Sequence, residues 1–468
     1  MSLALIQVAA NGRYFSTHNG EPFLFIGCND AITWQGLEGL FHRRDVEAAE
    51  RHIADLAAHG ITVLRIMLEY VDHEWRYFEH PAGHFVPSMV QLWDDLFALC
   101  EKYGLRIMLT PWDTHWMARR WKHHPYNAAN GGPAKTRRSL LTDEATIAAT
   151  IARFEFIIRR WGGTGVLAAW DLFNEVHPRW GGTPGEQAAT LTRISHAIRE
   201  IEHRIWGNTT LQTVSIFGPD PGEQYHHLIF SHPDLDFATT HIYRGAIDNP
   251  FDTVTPALTM AEWVRFAWHQ VPAGRPFMDT EHAPIHYFNN RHRILPEAFD
   301  DEYERHLIWA HFASGGAGSG MRWPSRHPHL LTPGMRRSLH SLSQFAAHIH
   351  WPEFRPTLVN DLHINVPDLH GFAIADCEQA VIWLLHTRLA KLRRKPLLPP
   401  IPLHGVSLEL HSMRPPTTYR LMLWDTIRGM IMDTFEVQTT HDGILRFSLS
   451  MPTNDLAILV QASSIQSE

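Results

Sequence analysis

The first 350 residues of this chain alternate short apolar runs with longer amphipathic segments, and this alternation limits the possible fold more than any other feature. Strand-length apolar runs separated by helical segments are typical of β-α units repeated around a parallel sheet. The expected strands cover residues 23–28, 63–67, 106–110, 166–172, 213–216, 237–241, 277–279 and 320–323. The expected helices cover residues 44–59, 93–102, 142–161, 185–206, 260–269, 296–313 and 333–348, with a weak crossover near 223–230. This order predicts a (β/α)8 TIM barrel, with a doubly wound open sheet as the alternative.

The two ends of the chain have a different character. Residues 11–20 include an Asn-Gly pair and predict a small hairpin on the floor of the barrel. After about residue 352, alternating segments between Pro, Gly and Asp turns predict an antiparallel β-sandwich. Its expected strands cover residues 380–385, 406–410, 419–424, 434–438, 445–449 and 456–461, and the basic, proline-rich stretch 391–402 is expected to be an extended loop. We therefore predict a barrel domain over residues 1–350 and an accessory β-sandwich domain over 351–468.

Composition excludes several classes of protein. Of 468 residues, 44% are hydrophobic and 19% charged, so a large core is expected and disorder is not. The net charge of −8 argues against nucleic acid as a partner, since phosphate binding requires a basic face. No run reaches membrane-spanning length, and no signal peptide is visible at the N-terminus. A cytoplasmic protein with no membrane partner is expected, although a secreted protein without its leader would look the same. The oligomeric state stays open.

Cysteine and histidine usage argues against a disulfide framework and against a metal site. The three cysteines are odd in number and far apart, which favours a reducing compartment. The 34 histidines include no cluster with the spacing of zinc ligands. We expect neither a metal nor a cofactor.

Polar and aromatic residues gather where the expected strands end, which in such a barrel is the functional face. In chain order these residues are Arg65, Trp112, Asp113, His115, Asn174, Glu175, His241, Tyr243, Glu281 and Trp323. A carboxylate at the end of a buried strand is costly unless it has a role, because desolvation disfavours its charged form. A single strand-end glutamate is more often an ion-pair partner or a helix cap. Two of them, Glu175 and Glu281, suggest a carboxylate pair facing one another across a sugar.

This ordered set resembles the clan A glycoside hydrolases, the group that includes the family 5 cellulases and mannanases. The resemblance covers residues 20–345 and implies a retaining enzyme with Glu175 as acid/base and Glu281 as nucleophile. It also implies substrate-binding or supporting roles for Arg65, Asn174, His241, Tyr243 and Trp323. His115 matches the strand-three histidine of that group, with Asp113 and Trp112 as rival occupants, and Val176 stands where a proline often follows Asn-Glu.

The chemistry of retention gives these residues their expected roles. One carboxylic acid must protonate the leaving oxygen while an ionised carboxylate attacks the anomeric carbon. We expect the pKa of Glu175 to be raised by its apolar strand and by the charge of Glu281. Arg65 and Tyr243 should keep Glu281 ionised, while Asn174 would donate to the sugar 2-hydroxyl. Sugar-stacking candidates are Trp323, Trp34, Trp112, Trp116 and Trp180, while Asp171, Asp279, Glu69 and His282 are expected to support the site from behind.

The resemblance favours β-mannan, β-glucan or oligosaccharides derived from them as substrate. An exo-acting β-galactosidase or β-xylosidase of the same clan is one alternative, and a carbohydrate-binding barrel without catalysis is another. A metal-dependent hydrolase barrel is a third, but it would need His-x-His after the first strand, where this chain has Cys28, Asn29 and Asp30.

Overall fold

A computed structural model of the chain describes residues 2–70, 76–244, 249, 251–284, 295–392, 397–411 and 413–463. The chain divides into two compact units. The first comprises Met1–Ile242, Gln270–Glu281 and Met321–Leu330, and the second comprises Tyr243–His269, His282–Gly320 and Leu331–Glu468. Among the described helices, none combines the length and apolar character needed to cross a membrane.

After the N-terminal hairpin, each strand is followed by one or two helices as far as residue 346. Among the described residues beyond it, only strands, turns and one short 3-10 segment, Thr387–Lys391, follow. The strands are β1 (Ile6–Val8), β2 (Phe15–Thr17), β3 (Pro22–Phe23), β4 (Phe25–Asp30), β5 (Val63–Met67), β6 (Arg106–Thr110), β7 (Leu167–Asp171), β8 (Leu211–Thr213), β9 (Ala238–His241), β10 (Phe277–Glu281), β11 (Gly318–Arg322), β12 (Thr357–Leu358), β13 (His363–Ile364), β14 (Leu369–Ala375), β15 (Gln379–His386), β16 (Leu403–Leu410), β17 (Thr418–Asp425), β18 (Met430–Gln438), β19 (Leu445–Met451) and β20 (Asp455–Ala462). The helices are α1 (Glu38–Arg43), α2 (Val46–Ala58), α3 (Pro87–Tyr103), α4 (Thr114–Arg119), α5 (Glu144–Trp161), α6 (Pro184–Trp206), α7 (Gly222–His226), α8 (Val254–Gln270), α9 (Glu297–Ala313) and α10 (Pro333–Ala346).

The barrel strands form a parallel sheet in the order β11-β4-β5-β6-β7-β8, and β9 pairs with β10. The Asn29 amide donates to the carbonyl oxygens of Thr280, at 2.9 Å, and Met321, at 3.3 Å, which joins β4 to β10 and β11. The His241 N–H donates to the Ile216 carbonyl at 3.1 Å, which joins the segment after β8 to β9. Every residue of β5, β6 and β7 is buried, as expected for parallel strands covered on both faces. The predicted (β/α)8 barrel is confirmed.

The fifth barrel strand lies at β8, two residues earlier than the sequence predicted, so that boundary was wrong. The ladder between β7 and β8 ends at the pair Asp171 and Thr213. Beyond it, the Ser215 N–H donates to the Asp171 carboxylate at 3.1 Å. The Asp171 side chain takes the place of a backbone partner for Ser215, so the strand ladder stops although the apolar sequence pattern continues.

The predicted N-terminal hairpin is present and carries a third short strand, β3. The Asn11 side-chain oxygen accepts from the N–H groups of Arg13 and Tyr14, and Gly12 has a φ of 70°. A Cβ at Gly12 would lie 2.3 Å from the Cα of Gly274, just before β10, so only glycine fits at this close approach. The hairpin therefore packs at the amino end of β10, the floor of the barrel.

The second unit contains two antiparallel sheets, in the orders β12-β14-β15-β20-β17-β18 and β13-β16-β19. β19 shows strict alternation of buried and exposed residues, which is the pattern of a strand with one face on a core. That core includes Ile382, Leu408, Phe447 and Ile458. The predicted β-sandwich is confirmed, with the short strands β12 and β13 and the longer β14 in addition. Residues 393–396 of the proline-rich stretch lie outside the described residues.

Candidate active site

Arg65, at the centre of β5, is a fully buried hub that binds both sides of the site. Its guanidinium donates to Glu281 at 2.5 Å, Asp171 at 2.6 Å, Asn174 at 2.7 Å and Asn29 at 2.8 Å. Burial lowers the pKa of Arg65, but the charges of Glu281 and Asp171 raise it by more, so its pKa lies above the usual value. One permanent cation therefore holds the ends of β7 and β10 together.

Glu175 follows β7 with an unusual backbone conformation, since its φ is 49°. A non-glycine residue in this left-handed region costs about 1–3 kcal/mol and is kept only where its surroundings impose it. Here the Glu175 N–H donates to Ser215 Oγ at 3.1 Å, and the Val176 N–H donates to the Ser215 carbonyl at 3.0 Å. Ser215 Oγ in turn donates to Asp171 at 2.9 Å. Hydrogen bonds thus connect the backbone of Glu175, through Ser215 and Asp171, to Arg65.

Glu175 and Glu281 meet at the ring of His241. His241 Nδ1 lies 2.9 Å from Glu175 Oε1 and 3.5 Å from Glu281 Oε2. One oxygen of each glutamate and one nitrogen of His241 all lie within 4.8 Å of one another. The Glu175 side chain is 19% exposed and that of Glu281 is 6% exposed, so both reach the cleft from a buried base.

The electrostatics of this trio differ from the expectation for Glu175. Burial raises the pKa of Glu175, but the hydrogen bond and charge of His241, with smaller effects of Arg65 and His115, outweigh burial and leave the pKa below its ordinary value. Burial lowers the pKa of His241, but Glu281 and Glu175 raise it by more, so that its pKa lies above the ordinary value. These two opposite pKa shifts favour the proton on His241 rather than on Glu175, because the imidazole lies between two carboxylates.

Aromatic rings that follow the carboxyl ends of four barrel strands form a cluster. Trp323, directly after β11, meets the edge of Trp34 at a centroid distance of 5.0 Å, and Trp34 stacks on His329 at 5.0 Å. Tyr70 lies 5.9 Å from Trp323 and 6.3 Å from Trp116. Trp323, Tyr70 and Trp116 are half-buried, whereas Trp34 is 4% exposed and packs against Tyr70 and Trp323. These half-buried rings are suited to the apolar faces of a sugar.

The three candidates that follow the third barrel strand, Trp112, Asp113 and His115, lie in different environments. Trp112 is buried against the guanidinium of Arg153, 4.5 Å from its ring centre, so it packs in the protein interior. Asp113 is buried and caps α4 by accepting from the Trp116 N–H at 3.1 Å. His115 is half-buried on α4 and its charge lowers the pKa of Glu175, so His115 is the member of this group that faces the acid.

Tyr243 is half-buried and belongs to the second unit, so its predicted support of Glu281 stays a prediction. Of the expected supporting residues, Asp171 binds Arg65 directly, and His282 pairs with Glu304 at 3.2 Å in the second unit. Glu69 pairs with Arg153 at 2.5 Å.

Sequence reasoning missed Ser215, Asn29, Thr114 and Tyr70. Asn29 carried a signal, because it is a polar residue at the end of an apolar strand. Thr114 accepts from the Asn174 amide at 3.0 Å, but a threonine at the start of a helix is too common to point to a site. Ser215 carried no signal, because its role depends on the turn that Glu175 makes.

The chain superposes on solved glycoside hydrolases over nearly its whole length. A structure described as a glycoside hydrolase gives a TM-score of 0.65 at 15% identity, covering 98% of this chain and 97% of the other. A family 5 glycoside hydrolase from Bacteroides vulgatus gives 0.64 at 12% identity, covering 100% and 96%. The chain has the fold of these proteins.

Similarity to a family 5 mannosidase from Rhizomucor miehei covers 71% of this chain and 91% of the mannosidase, with a TM-score of 0.51 and 17% identity. No protein-family model and no curated protein matches the chain. Identities this low establish the fold alone.

Proposed function

We propose that the protein is a retaining β-glycoside hydrolase that acts on β-linked oligosaccharides of the mannan or glucan type and needs no cofactor. The observation that carries this proposal is the approach of an oxygen of Glu175 to within 4.8 Å of one of Glu281. Carboxyl groups lie about 5–5.5 Å apart in retaining enzymes and about 6.5–9.5 Å apart in inverting ones, where a water must fit between them. The close approach supports the retaining class.

In the first step, Glu281 attacks the anomeric carbon as the bond to the leaving oxygen breaks. Glu175 protonates that oxygen, and the shared proton reaches Glu175 from His241 Nδ1, which lies 2.9 Å away. In the second step, Glu175 takes a proton from water, whose oxygen displaces Glu281 from the sugar. Arg65 stabilises the carboxylate of Glu281 when it leaves, at 2.5 Å.

The proposed nucleophile and acid predict different responses to substitution. Glu281→Gly should abolish hydrolysis, and azide should restore part of it by attacking in place of the lost carboxylate. Glu175→Ala should spare substrates with activated leaving groups, since acid assistance matters least for them. The measurement is kcat/KM for 4-nitrophenyl and alkyl β-glycosides in each variant. Equal losses on both substrates in Glu175→Ala would contradict the acid role.

Substrate class is tested with a panel of aryl β-glycosides and β-linked oligosaccharides. β-Mannosides come first, because a mannosidase is among the similar structures. Preference for a β-galactoside or β-xyloside with release of single sugars would favour an exo-acting enzyme of that kind instead. Binding without turnover across the panel would support a carbohydrate-binding barrel.

A metal-dependent hydrolase is the second candidate, because Glu175, His241 and Glu281 could together hold a cation. Against it stands Arg65, whose buried charge lies 2.5 Å from one of the three ligands and would repel a divalent ion. Dialysis against EDTA should therefore leave kcat/KM unchanged. Loss of activity that zinc or manganese restores would favour the metal mechanism.

A further inference from the structure

Three segments of the first unit lie together beside Glu175. The start of α4 is fixed to the acid's neighbour, since Thr114 accepts from the Asn174 amide at 3.0 Å. Arg137, in a turn further along the chain, donates to the Ala118 carbonyl of α4 at 3.3 Å. That turn packs against the turn Pro178–Trp180, because a Cβ at Gly181 would lie 1.6 Å from the Arg138 carbonyl. We call residues 114–139 and 177–180 the cationic wall.

The cationic wall is strongly biased in charge. The sequence has no Asp or Glu between positions 114 and 142, in a chain whose net charge is −8. The lysines and arginines of the wall are Arg119, Arg120, Lys122, Lys135, Arg137, Arg138 and Arg179. Of these, Arg119, Lys122, Lys135, Arg138 and Arg179 are exposed. Surface charge of one sign along a cleft attracts ligands of the opposite sign.

The ring of Trp116 lies among the charged residues of the cationic wall. Arg119 and Arg120 both lie over Trp116, at 5.5 and 5.7 Å from its ring centre. Trp116 connects through Tyr70 to Trp323, with centroid distances of 6.3 and 5.9 Å. A sugar that stacks on Trp116 would hold its substituents within reach of two guanidinium groups, which bind carboxylate and sulfate well.

We propose that the leaving-group side of this cleft binds an anionic sugar residue, one that carries a carboxylate or a sulfate. The inference rests on the proposed function, in which Glu175 protonates the leaving oxygen. The leaving group must therefore lie on the Glu175 side, and that is the side on which the cationic wall lies.

An anionic ligand bound there would also change the pKa of Glu175. The groups facing Glu175 include His241 from β9, Arg65 from β5, His115 from α4, Glu281 from β10 and His177, two residues along the chain. His241, Arg65 and His115 lower the pKa of Glu175. An anion bound against the wall would offset part of that positive field and raise the pKa of Glu175 towards the range of an acid catalyst. Binding of the correct leaving group would thus help to protonate Glu175.

The test uses the full chain and three phenyl β-glycosides of the best sugar in the panel, which bear 3-carboxy, 3-sulfooxy or 3-carbamoyl groups. The first two are anions and the third is a neutral analogue of the carboxylate. We expect a higher kcat/KM for at least one anion, and the two anionic arms distinguish uronates from sulfated sugars. This preference should decline as salt rises from low ionic strength, because exposed charges are screened. The basic limb of the kcat profile should lie at higher pH for the preferred anion than for the carbamoyl compound.

Charge-removing variants locate the effect. In Arg119→Gln and in Arg179→Gln, the ratio of kcat/KM for the anionic over the neutral compound should fall roughly threefold each, the size expected for partly exposed charges. The matched control is Arg159→Gln, an exposed arginine on α5 whose ion pair with Glu155 lies outside the wall. Equal rates for the anionic and neutral compounds, or equal ratios in all three variants, would overturn the inference while leaving the hydrolase proposal intact. Failure of every compound in the panel would overturn both.

Discussion

Ser215 illustrates how a residue that touches no substrate can set the geometry of a proposed acid. Its hydroxyl joins the N–H of Glu175, at 3.1 Å, to the carboxylate of Asp171, at 2.9 Å. The left-handed φ of Glu175 persists because this bond and the adjacent Val176 bond hold it. Ser215 is therefore a positioning residue for the acid.

Ser215→Ala should lower kcat by about ten- to a hundredfold, because a hydrogen bond to a charged group contributes a free energy of that size. KM should change little, because the aromatic rings that hold the sugar are not disturbed. Steady-state kinetics on an alkyl glycoside measures both parameters. Thr213→Val is the control, since it removes another buried hydroxyl bond near the same strand, to the Phe237 carbonyl at 2.8 Å. Similar losses in the two variants would mean that Ser215 serves stability alone.

His241 predicts the pH dependence of the site. Its pKa is raised, so its proton persists above the ordinary histidine value of about 6.5 and is lost only as the pH passes the raised value. The basic limb of kcat/KM should therefore lie above about pH 6.5, where the His241–Glu175 pair loses the proton needed by the leaving group.

In His241→Gln the proton should reside on Glu175 alone, and the basic limb should move to lower pH. His203→Gln is the control, because it removes an exposed histidine on α6. The measurement is the pH profile of kcat/KM for the wild type and both variants. A basic limb unmoved by His241→Gln would show that the two groups do not share the proton.

At the scale of elements, α9 is fastened to the sandwich strand β20 by a buried ion pair within the second unit. Asp455, which is fully buried, lies 3.1 Å from Arg305 and 3.6 Å from His306 and accepts from Thr426 at 2.5 Å. Burial raises the pKa of Asp455, but Arg305, His306 and Thr426 lower it by more, so its pKa lies well below the usual value. The folded state therefore favours the ionised form of Asp455.

Asp455→Asn should lower the free energy of unfolding by about 3–5 kcal/mol, because it leaves Arg305 buried without its counter-charge. A group with a depressed pKa stabilises the fold above its unfolded value of about 3.9 and loses that contribution as the pH falls through the folded value. The difference between wild type and variant, measured by urea unfolding, should therefore shrink below about pH 4. Asp433→Asn, an exposed change on β18, should have little effect at either pH. A constant difference down to pH 3 would assign the loss to packing rather than to charge.

At the scale of the whole molecule, the boundary predicted near residue 350 can be tested directly. Residues Glu302 to Ala313 of α9 are all buried, and α9 contacts β14 and β15 of the sandwich. A helix that is buried on every side needs partners all round. Without the sandwich, one face of α9 and the charge of Arg305 would be exposed.

A chain ending at residue 350 should therefore be insoluble or should lose cooperative unfolding, even though both proposed catalytic glutamates precede that point. Size-exclusion chromatography and calorimetry of the truncated and full chains measure this outcome. A monodisperse fragment with a single sharp transition would show that the barrel is an independent domain.

Much of the architecture follows from the sequence, because periodicity is a local property. Strands β5 and β6 lie at the predicted residues, and most of the other barrel strands begin or end within two residues of their predicted limits. The ends of parallel strands meet at one face of a barrel, so Glu175, His241 and Glu281 could be grouped from the sequence. Arg65 lies at the centre of β5 rather than at its end, and its long side chain reaches Glu281. The starts of α3 and α8, at Pro87 and Val254, lie six residues before the predicted ones, although proline is favourable at the first position of a helix.

Only the tertiary structure decided how these residues act on one another. Arg65 and Glu281 are 216 positions apart, so a partner of this kind depends on strand register and on the path of each loop. The pKa of Glu175 is lowered, not raised as the sequence predicted, because His241 Nδ1 lies 2.9 Å from its carboxylate. The sequence pattern does not specify that distance. Trp112 and Trp116 are four positions apart, and which of them packs on Arg153 and which meets Tyr70 depends on where the chain turns after β6. Sequence periodicity determines which residues reach the functional face, but hydrogen bonds and charges act over a few ångströms, and those distances exist only in the folded chain.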